Sequence, residues 1–517
     1  LHDMKYKTYT TKPKPNNHKR KILGLNGLNH DASACLLHGK EIKFAGHNER
    51  YSDIKFDEDI TQPMISDLKR YGDWDEVTWF ERPIKKKGRQ LWAGQYKEVF
   101  TRKNLPSKYL KEFNIKPDVY IDHHLSHAAA SYFTSPYKES VGVMIDAIGE
   151  WETATIWYIK THEDGSTTFE KRWSQEYPHS LGLWYSAMTQ RLGLKPQEDE
   201  YILMGMAGWG LPNKKLQEEI RLSFFNEDNL LEFAQNLHRG CMDWNPVCLP
   251  DDGTDQWKFD IACNVQIVCE EEICKVFEHA KKIVPETDNC VYGGGVALNC
   301  VANSIVASSI YPSLWIIPNP GDGGSSLGSA AFHLGEHVNW NNTFLGYDIK
   351  GDYPTEQLLK ELLNGNIVGV ASGRAEFGPR ALGNRTLMAD PRGDEIKDKV
   401  NKIKKRQEFR PFAPAVLEEH AHEIFEMPVK KSQYMQFVAK CKYPEKYPAI
   451  CHVDNTSRVQ TVCEEDNPNF YRLIKEFYKY TGCPMVLNTS LNIKGMPIVN
   501  THNDGIEFEK KYGVKVF

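Results

Sequence analysis

Two histidines four residues apart, His123 and His127 in the run DHHLSHAAASYF, have a spacing that can do chemistry. They follow the strand-like PDVYID and open a helical pattern, and an i, i+4 pair on a helix turns both imidazoles to one face, close enough to share a metal ion. An isolated H-x-x-x-H is more often a pair of helix-N-terminal histidines bonded to nearby backbone, and His124 is read as such a spectator. Two acidic residues shift the balance: Asp146 ends VGVMID and Asp322 lies in NPGDGGSS, each at the C-terminal end of a strand, where α/β sheets gather ligands. Two imidazoles with carboxylates and open positions suit a divalent transition metal, iron or zinc more readily than calcium.

Anion-binding patterns come next. Gly293, Gly294 and Gly295 in YGGGVALNCVAN join a strand to a helix, allowing close backbone approach and offering a helix N-terminus to a negative charge. A second glycine turn, PGDGGSSLG, opens the following helix. Further on, GRAEFGPRALGNRT brings Arg374, Arg380 and Arg385 within twelve residues; Arg410 follows in EFRPFAP, Arg458 in DNTSRVQTV, and Ser490 and Asn492 in a polar turn after PMVLN. Arginines set among Gly and Pro in loops point to forked recognition of phosphate rather than to a solvated helix face. His30, in the loop Asn29-His30-Asp31, has the side chain for removing a proton from a hydroxyl. A loop whose side chains only satisfy backbone groups reads equally well there.

These residues need elements to hold them. ILGLN, SACLLH and EIKFAGH read as three strands with a polar loop and a tight turn between them; VGVMIDAIG, TATIWYIK and TTFEKRW repeat the plan. The weak duplication suggests an actin-like ATPase fold, with the polar loops facing a nucleotide cleft. Strands CVYGGGV and LWIIPN, each followed by a helix, continue an α/β layer. From residue 260 the apolar stripe Val265, Val268, Ile273, Val276, Phe277 reads as core packing. The polar segment 339–353 reads as a boundary, before a mixed α/β domain built on NIVGVAS, QFVAK, PMVLN and their helices. The expected organisation is a basic flexible arm over 1–21, an actin-like domain over 22–345 and a second domain over 346–517.

Composition agrees. With 517 residues, 40% hydrophobic and 26% charged, the chain is globular and large enough for two or more domains. A formal net charge of −5 excludes a uniformly basic nucleic-acid coat. The twelve cysteines form no C-x-x-C pair and read as reduced, buried thiols. No apolar run reaches membrane-span length and no signal-peptide core is seen, so a cytoplasmic protein without membrane contact is expected.

The ordered motifs HDASACLL, HHLSHAAASYF, YPHSLGLWYSAMT, EYILMGMA, YGGGVALNCVAN, GDGGSSLGSAA, GRAEFGPRALGNR, FRPFAPAVL and LNTSLNIKGMPIV resemble the O-carbamoyltransferases of the nodulation-factor and antibiotic-tailoring type, from about Ile22 to near the C-terminus. The resemblance implies an actin-like carbamoyl-transfer domain followed by a carbamoyl-adenylate-forming domain resembling threonylcarbamoyl-adenylate synthases. It further implies that carbamoyl phosphate and ATP give carbamoyl-adenylate, whose carbamoyl group passes to an acceptor hydroxyl. His123, His127, Asp146 and Asp322 match the family's iron-ligand positions, so Fe(II) or another divalent transition metal is expected besides ATP and Mg. Gly293–Gly295 with Asn299 match the adenylate cradle. His30 matches the histidine that deprotonates the acceptor. Arg374, Arg380, Arg410, Arg458, Ser490 and Asn492 are expected to hold carbamoyl phosphate and ATP. Two positions depart from the pattern: Ile202 stands where a Lys is usual, and Lys55-Phe56-Asp57 replaces K-H-D.

The acceptor is approached through composition. Between Arg82 and Lys116 there are eleven Lys and Arg against two Glu, interleaved with Trp92, Tyr96, Phe100, Tyr109 and Phe113. A solvated basic face over a helix explains this slightly better than phosphate contacts with base stacking. On the second view the acceptor is a hydroxymethylated pyrimidine in DNA, touched by Lys85, Lys86, Lys87 and Trp92. A small sugar or antibiotic hydroxyl is the alternative acceptor, and tRNA threonylcarbamoylation a more distant activity.

Overall fold

The structure, a computed structural model, describes residues 7–101 and 105–517. The chain divides into two compact units: Leu1–Ala45 with Glu58–Trp340, and Gly46–Asp57 with Asn341–Phe517. The excursion 46–57, assigned from sequence to the first domain, thus groups with the second.

The strands of the first unit are β1 (Lys7–Thr11), β2 (Lys21–Asn26), β3 (Ser33–His38), β4 (Glu41–His47), β5 (Glu76–Trp79), β6 (Val119–Tyr120), β7 (Glu139–Ile145), β8 (Glu152–Thr161), β9 (Thr167–Glu176), the short hairpin β10 (Phe225–Asn226) and β11 (Glu232–Phe233), then β12 (Cys290–Gly293) and β13 (Leu314–Ile316). One sheet runs β4-β3-β2-β5-β6 and another β1-β9-β8-β7-β12-β13. In each, a first strand pairs antiparallel with the second strand of a meander and parallel with a fourth strand. Leaving out β1, the two sheets share one topology, and each ends in a helix after its last strand: His123–Thr134 in one half, Ser325–Leu334 in the other. This is the duplicated α/β plan of the actin-like fold. The central strands are largely apolar because helices cover them; β2 is buried from Ile22 to Asn26 and β7 from Ser140 to Ile145.

The stretch expected as a loose arm is different. Residues 1–6 lie outside the described residues, but residues 7–11 form edge strand β1, antiparallel to β9. Its side chains alternate polar residues without an apolar face, so no strand signal stands out in the sequence. Tyr9 donates to Asp122 (2.7 Å) and Thr11 to the Phe332 carbonyl (2.7 Å), and Arg20 forks onto Glu76 (2.7 and 2.9 Å).

The second unit holds β14 (Phe344–Ile349), β15 (Val368–Ala371), β16 (Gly373–Glu376), β17 (Arg385–Ala389), β18 (Ala413–Leu417), β19 (Phe425–Glu426), β20 (Phe437–Cys441), β21 (Thr456–Val462) and β22 (Met485–Ser490). Seven form a mixed sheet in the order β15-β17-β22-β18-β21-β20-β19, while β14 pairs with β16. Successive residues of β17 serve opposite faces. Met388 joins the core with Phe470, Leu473 and Phe477 of the helix Pro468–Thr481, and Leu387 joins Phe508 of the helix His502–Tyr512. All twelve cysteines are free thiols, most of them buried. Among the described residues no helix is long and apolar enough to cross a membrane.

Candidate functional site

The helix His123–Thr134 is buried along its whole length, which its sequence permits because Ala and Ser dominate its middle. Its first N–H has no cap from Asp122; both carboxylate oxygens of Glu150 accept it instead, at 3.1 Å each. The Ser325–Leu334 helix crosses it with no spare room: a Cβ on Gly328 would lie 1.8 Å from the Ser126 carbonyl oxygen. Likewise a Cβ on Gly24 of β2 would lie 1.9 Å from the Ser326 carbonyl. Small residues at these crossings let the turn before the second helix, with Asp322, reach the histidines at the start of the first.

Four side chains converge there. His123 Nε2 lies 2.9 Å from Asp146 Oδ2, 3.1 Å from His127 Nε2 and 3.2 Å from Asp322 Oδ1. His127 Nε2 lies 3.1 Å from Asp146 Oδ2 and 3.4 Å from Asp322 Oδ1. All four candidate ligand atoms fall within 4.8 Å of one another, in buried residues. Asp322 Oδ1 is buried without a hydrogen-bond partner, facing the two imidazoles. The other carboxylate oxygens are held from outside: Asn29 donates to Asp322 Oδ2 (3.0 Å), and the Ala147 and Gly295 amides donate to Asp146 Oδ1 (2.9 and 3.3 Å).

The charges support one another. Burial opposes the ionised forms, yet His123 and His127 hold the Asp146 carboxyl well below its ordinary range, and they lower Asp322 as well. The carboxylates in turn outweigh burial and raise both imidazoles, His123 strongly. A divalent cation carries the charge of the two protons it would displace from such a set, and the orphaned Asp322 oxygen would gain a partner. The donors fit a transition metal. His124 is set apart as expected: it meets Thr155 Oγ1 at 2.9 Å, and burial, aided by His123, keeps its pKa well below the ordinary value.

Two family models match the chain, carbamoyltransferase N-terminus over residues 78–331 and carbamoyltransferase C-terminus over residues 359–517. A protein of Synechocystis sp. is 31% identical, across 93% of this chain and 93% of its own. The chain belongs to the carbamoyltransferase family. Nodulation protein NolO of Bradyrhizobium diazoefficiens is 31% identical over 75% of each chain. The 3′-hydroxymethylcephem-O-carbamoyltransferase of Amycolatopsis lactamdurans is 34% identical over 46% of this chain and 49% of its own.

In this carbamoyltransferase the loop of His30 is tied to the same place. Asn26 donates to the carbonyls of both Asp31 and Asp322, at 2.9 Å each. His30 lies 2.8 Å from Asp31 Oδ2 through Nδ1 and 2.8 Å from the Gln197 carbonyl through Nε2. Burial works against its charge, but Asp31 outweighs it and holds the His30 pKa at about 10.

The glycine turn requires its glycines: a Cβ on Gly294, at φ +90°, would lie 2.1 Å from the Ile145 carbonyl oxygen, and one on Gly293 2.6 Å from Ser131 Oγ. Its amides are engaged, Gly294 N–H by the Pro320 carbonyl (2.8 Å) and Gly295 N–H by Asp146. The turn therefore gives close approach rather than free donors. Asn299, expected in the adenylate cradle, is occupied: it caps the helix Cys300–Ser309 through Ala302 N–H (3.2 Å) and exchanges hydrogen bonds with Gln266 (2.9 and 3.2 Å).

The arginines of the second unit separate into roles. Arg385 is buried and donates only to backbone carbonyls, those of Asn500, Ser372, Asn384, Tyr347 and Gly373, at 2.9–3.0 Å. Arg374 Nε donates to the Gly346 carbonyl at 3.1 Å, bracing β14 against β16. Glu376 organises the turn between them, accepting the amides of Leu382, Asn384 and Arg385 (2.9–3.2 Å) while its other oxygen meets Arg50 at 3.3 Å. Arg380, Arg410 and Arg458 are half-buried.

Ser490 and Asn492 are brought together by a residue that sequence reading missed. The Lys404 ammonium, buried, donates to Ser490 O (2.6 Å), Ser490 Oγ (3.2 Å), Asn492 O (3.0 Å) and Asn492 Oδ1 (2.9 Å). Burial, with Arg406, Arg410 and Lys55 nearby, presses its pKa well below that of an ordinary lysine. Its signal lay in the helix Ile396–Lys404, where Ile396, Val400 and Lys404 recur every fourth residue on the buried face. Glu81 and Glu150 were missed for want of any motif, and Asn29 was noted only as part of the His30 loop.

In the basic segment Lys85, Lys86 and Lys87 have internal partners. Lys85 pairs with Asp122 at 2.6 Å, beside Arg82; Lys86 pairs with Glu81 at 2.8 Å; Lys87 donates to the Val99 carbonyl at 2.7 Å. The three lysines are internal partners rather than a free cationic stripe. Trp92 remains 62% exposed, edge-on to Tyr177, and Arg102 and Lys103 lie outside the described residues. Of the departures from the family pattern, Ile202 is buried in the helix Glu200–Ala207, where it packs as core.

Proposed function

We propose that this carbamoyltransferase is an ATP-dependent O-carbamoyltransferase acting on a small-molecule hydroxyl. The observation that carries the reading is the presence of two built, charge-concentrating sites, one in each unit. In the second unit, water would cleave carbamoyl phosphate to carbamate and phosphate. A carbamate oxygen would then attack the α-phosphate of ATP, with pyrophosphate leaving and Mg balancing its charge, to give carbamoyl-adenylate. Lys404 holds Ser490 and Asn492 in place with Arg406 and Arg410 nearby, and Arg410 with Arg458 would supply the positive charge that phosphate groups need. In the first unit the acceptor oxygen would attack the carbamoyl carbon and AMP would leave.

His123, His127, Asp146 and Asp322 would hold a divalent transition metal, iron(II) first. When bound it supplies positive charge to polarise the carbamoyl group. Gly293–Gly295 let the adenylate approach closely, and His30, fixed by Asp31 and Gln197, would take the acceptor proton. A small-molecule acceptor is favoured over a hydroxymethylated base in DNA because Lys85, Lys86 and Lys87 are spent on Asp122, Glu81 and a backbone carbonyl. The test is to purify the His127→Ala protein and assay both half-reactions. Pyrophosphate release from ATP and carbamoyl phosphate should persist, while transfer and bound metal are lost. Full transfer by the metal-depleted variant would overturn the reading.

A further inference from the structure

We propose that Glu81 is the positioning residue of the metal centre, fixing His123 with its proton on Nδ1 so that Nε2 is free to ligate, and that Lys86 is the counter-charge that keeps Glu81 ready. The inference rests on the metal reading above.

His123 has two ring nitrogens with opposite surroundings. Nε2 faces Asp146, His127 and Asp322. Nδ1 points away from them, is buried, and has no hydrogen-bond partner. At 3.8 Å from Nδ1 stands Glu81 Oε2, also buried and also without a partner. Both residues are almost wholly excluded from solvent, so water does not resolve the deficit. Two unsatisfied polar atoms facing each other in a buried site are best satisfied by each other, through a shift of roughly 0.8 Å that would make an ordinary hydrogen bond. That bond has one sense, Nδ1–H donating to the carboxylate, and this tautomer leaves the Nε2 lone pair for a metal. A carboxylate behind a ligating histidine also raises its basicity and holds its ring orientation.

The rest of the neighbourhood serves the same end. Glu81 lies two residues beyond β5, in the bend that leads to the helix from Pro83. Its Oε1 accepts Lys86 Nζ at 2.8 Å, which leaves Oε2 for His123. Lys86 also donates to the Leu28 carbonyl (3.1 Å), next to the His30 loop. The Phe80 ring packs on the His123 ring with centroids 5.3 Å apart, limiting its tilt.

The experiment uses the full chain and Co(II) as probe, with affinity from chelator competition and ligand field from the visible spectrum. Wild type should bind Co(II), and His127→Ala should not. Glu81→Gln should bind 10–100-fold more weakly, with a changed visible spectrum, and Glu81→Asp should recover part of the loss. Lys86→Met should move affinity the same way by a smaller factor. Wild-type affinity and spectrum in folded Glu81→Gln would overturn this proposal while leaving the metal reading intact. If Glu81→Gln fails to fold, unchanged affinity in Lys86→Met overturns it. Absence of Co(II) binding by the wild type would overturn both.

Discussion

The guanidinium of Arg385 hydrogen-bonds to five backbone carbonyls, so removing it strips a charged donor set from a buried turn without touching any ligand. Arg385→Met should therefore destabilise the second unit by about 3–5 kcal/mol, read as a lowered thermal midpoint. Arg410→Ala and Arg458→Ala should instead leave the midpoint within a few degrees and raise KM for carbamoyl phosphate or ATP. Supplying carbamoyl-adenylate directly should restore transfer in them; no rescue, with the fold intact, would remove these two from the activation site. His30 gives a pH signature. A base accepts a proton only when neutral, and a pKa near 10 leaves a small neutral fraction at pH 7 that grows tenfold per unit. If His30 takes the acceptor proton, the transfer rate should climb with slope one from pH 7 toward 9. Asp31→Asn, which removes the charge that raises His30, should shift that limb to lower pH. The residues that sequence revealed here were those with a motif, the His123/His127 pair and its two aspartates. It could not tell Arg385 from Arg410, because an arginine spent on backbone carbonyls and one left half-buried have similar local sequence.

At the level of elements, the candidate metal site depends on how two helices cross. The His123–Thr134 and Ser325–Leu334 helices are equivalent pieces of the duplicated halves, and Gly328 sits where the Ser126 carbonyl leaves no room for a Cβ. Gly328→Ala should cost about 1–3 kcal/mol or more through overpacking. It should also weaken metal binding, since prising the helices apart moves Asp322 from His123 and His127. Gly88→Ala is the control: nothing lies within 4 Å of its Cβ, it is helical, and stability should hold or rise slightly. Chelator competition on both variants checks the link between crossing and site; equal affinities would break it. Both meanders were legible because apolar runs alternate with turn residues at Gly39-Lys40 and Asp164-Gly165. β1 and β14 were not, since one is a polar edge strand and the other lies inside a segment read as a boundary. Their partners, β9 and β16, are distant in sequence or hidden in the arginine-rich turn, and pairing of that kind leaves no local trace.

Over the whole molecule, a net charge of −5 coexists with a run of eleven cations between Arg82 and Lys116, part of which the fold pairs internally. Composition could count the lysines but could not see that Glu81, just before the run, and Asp122, just after it, pair with Lys86 and Lys85. Asp122 alone gathers Lys7, Tyr9, Arg82 and Lys85, and against the cost of burial these hold its carboxyl well below the ordinary range. Charge committed in this way releases few counterions from a nucleic acid, which leaves Lys97, Lys108, Lys111 and Lys116 as exposed cations among the described residues of the run. Transfer to a small hydroxylated acceptor should therefore change by less than about twofold between 50 and 200 mM salt, whereas an acceptor bound through six or more phosphates would lose roughly a thousandfold in affinity over that range. The Lys85→Ala protein should show a raised Asp122 pKa and a lower thermal midpoint, with the salt profile of transfer unchanged. Trp92, which is exposed, separates the two acceptors further. If it stacks on an unpaired base, Trp92→Ala should abolish single-stranded DNA binding at low salt. Steep salt dependence of transfer to a hydroxymethylated oligonucleotide, flattened by replacing Lys85, Lys86 and Lys87 together, would return the acceptor to DNA and show that the internal pairs open when a phosphate backbone arrives.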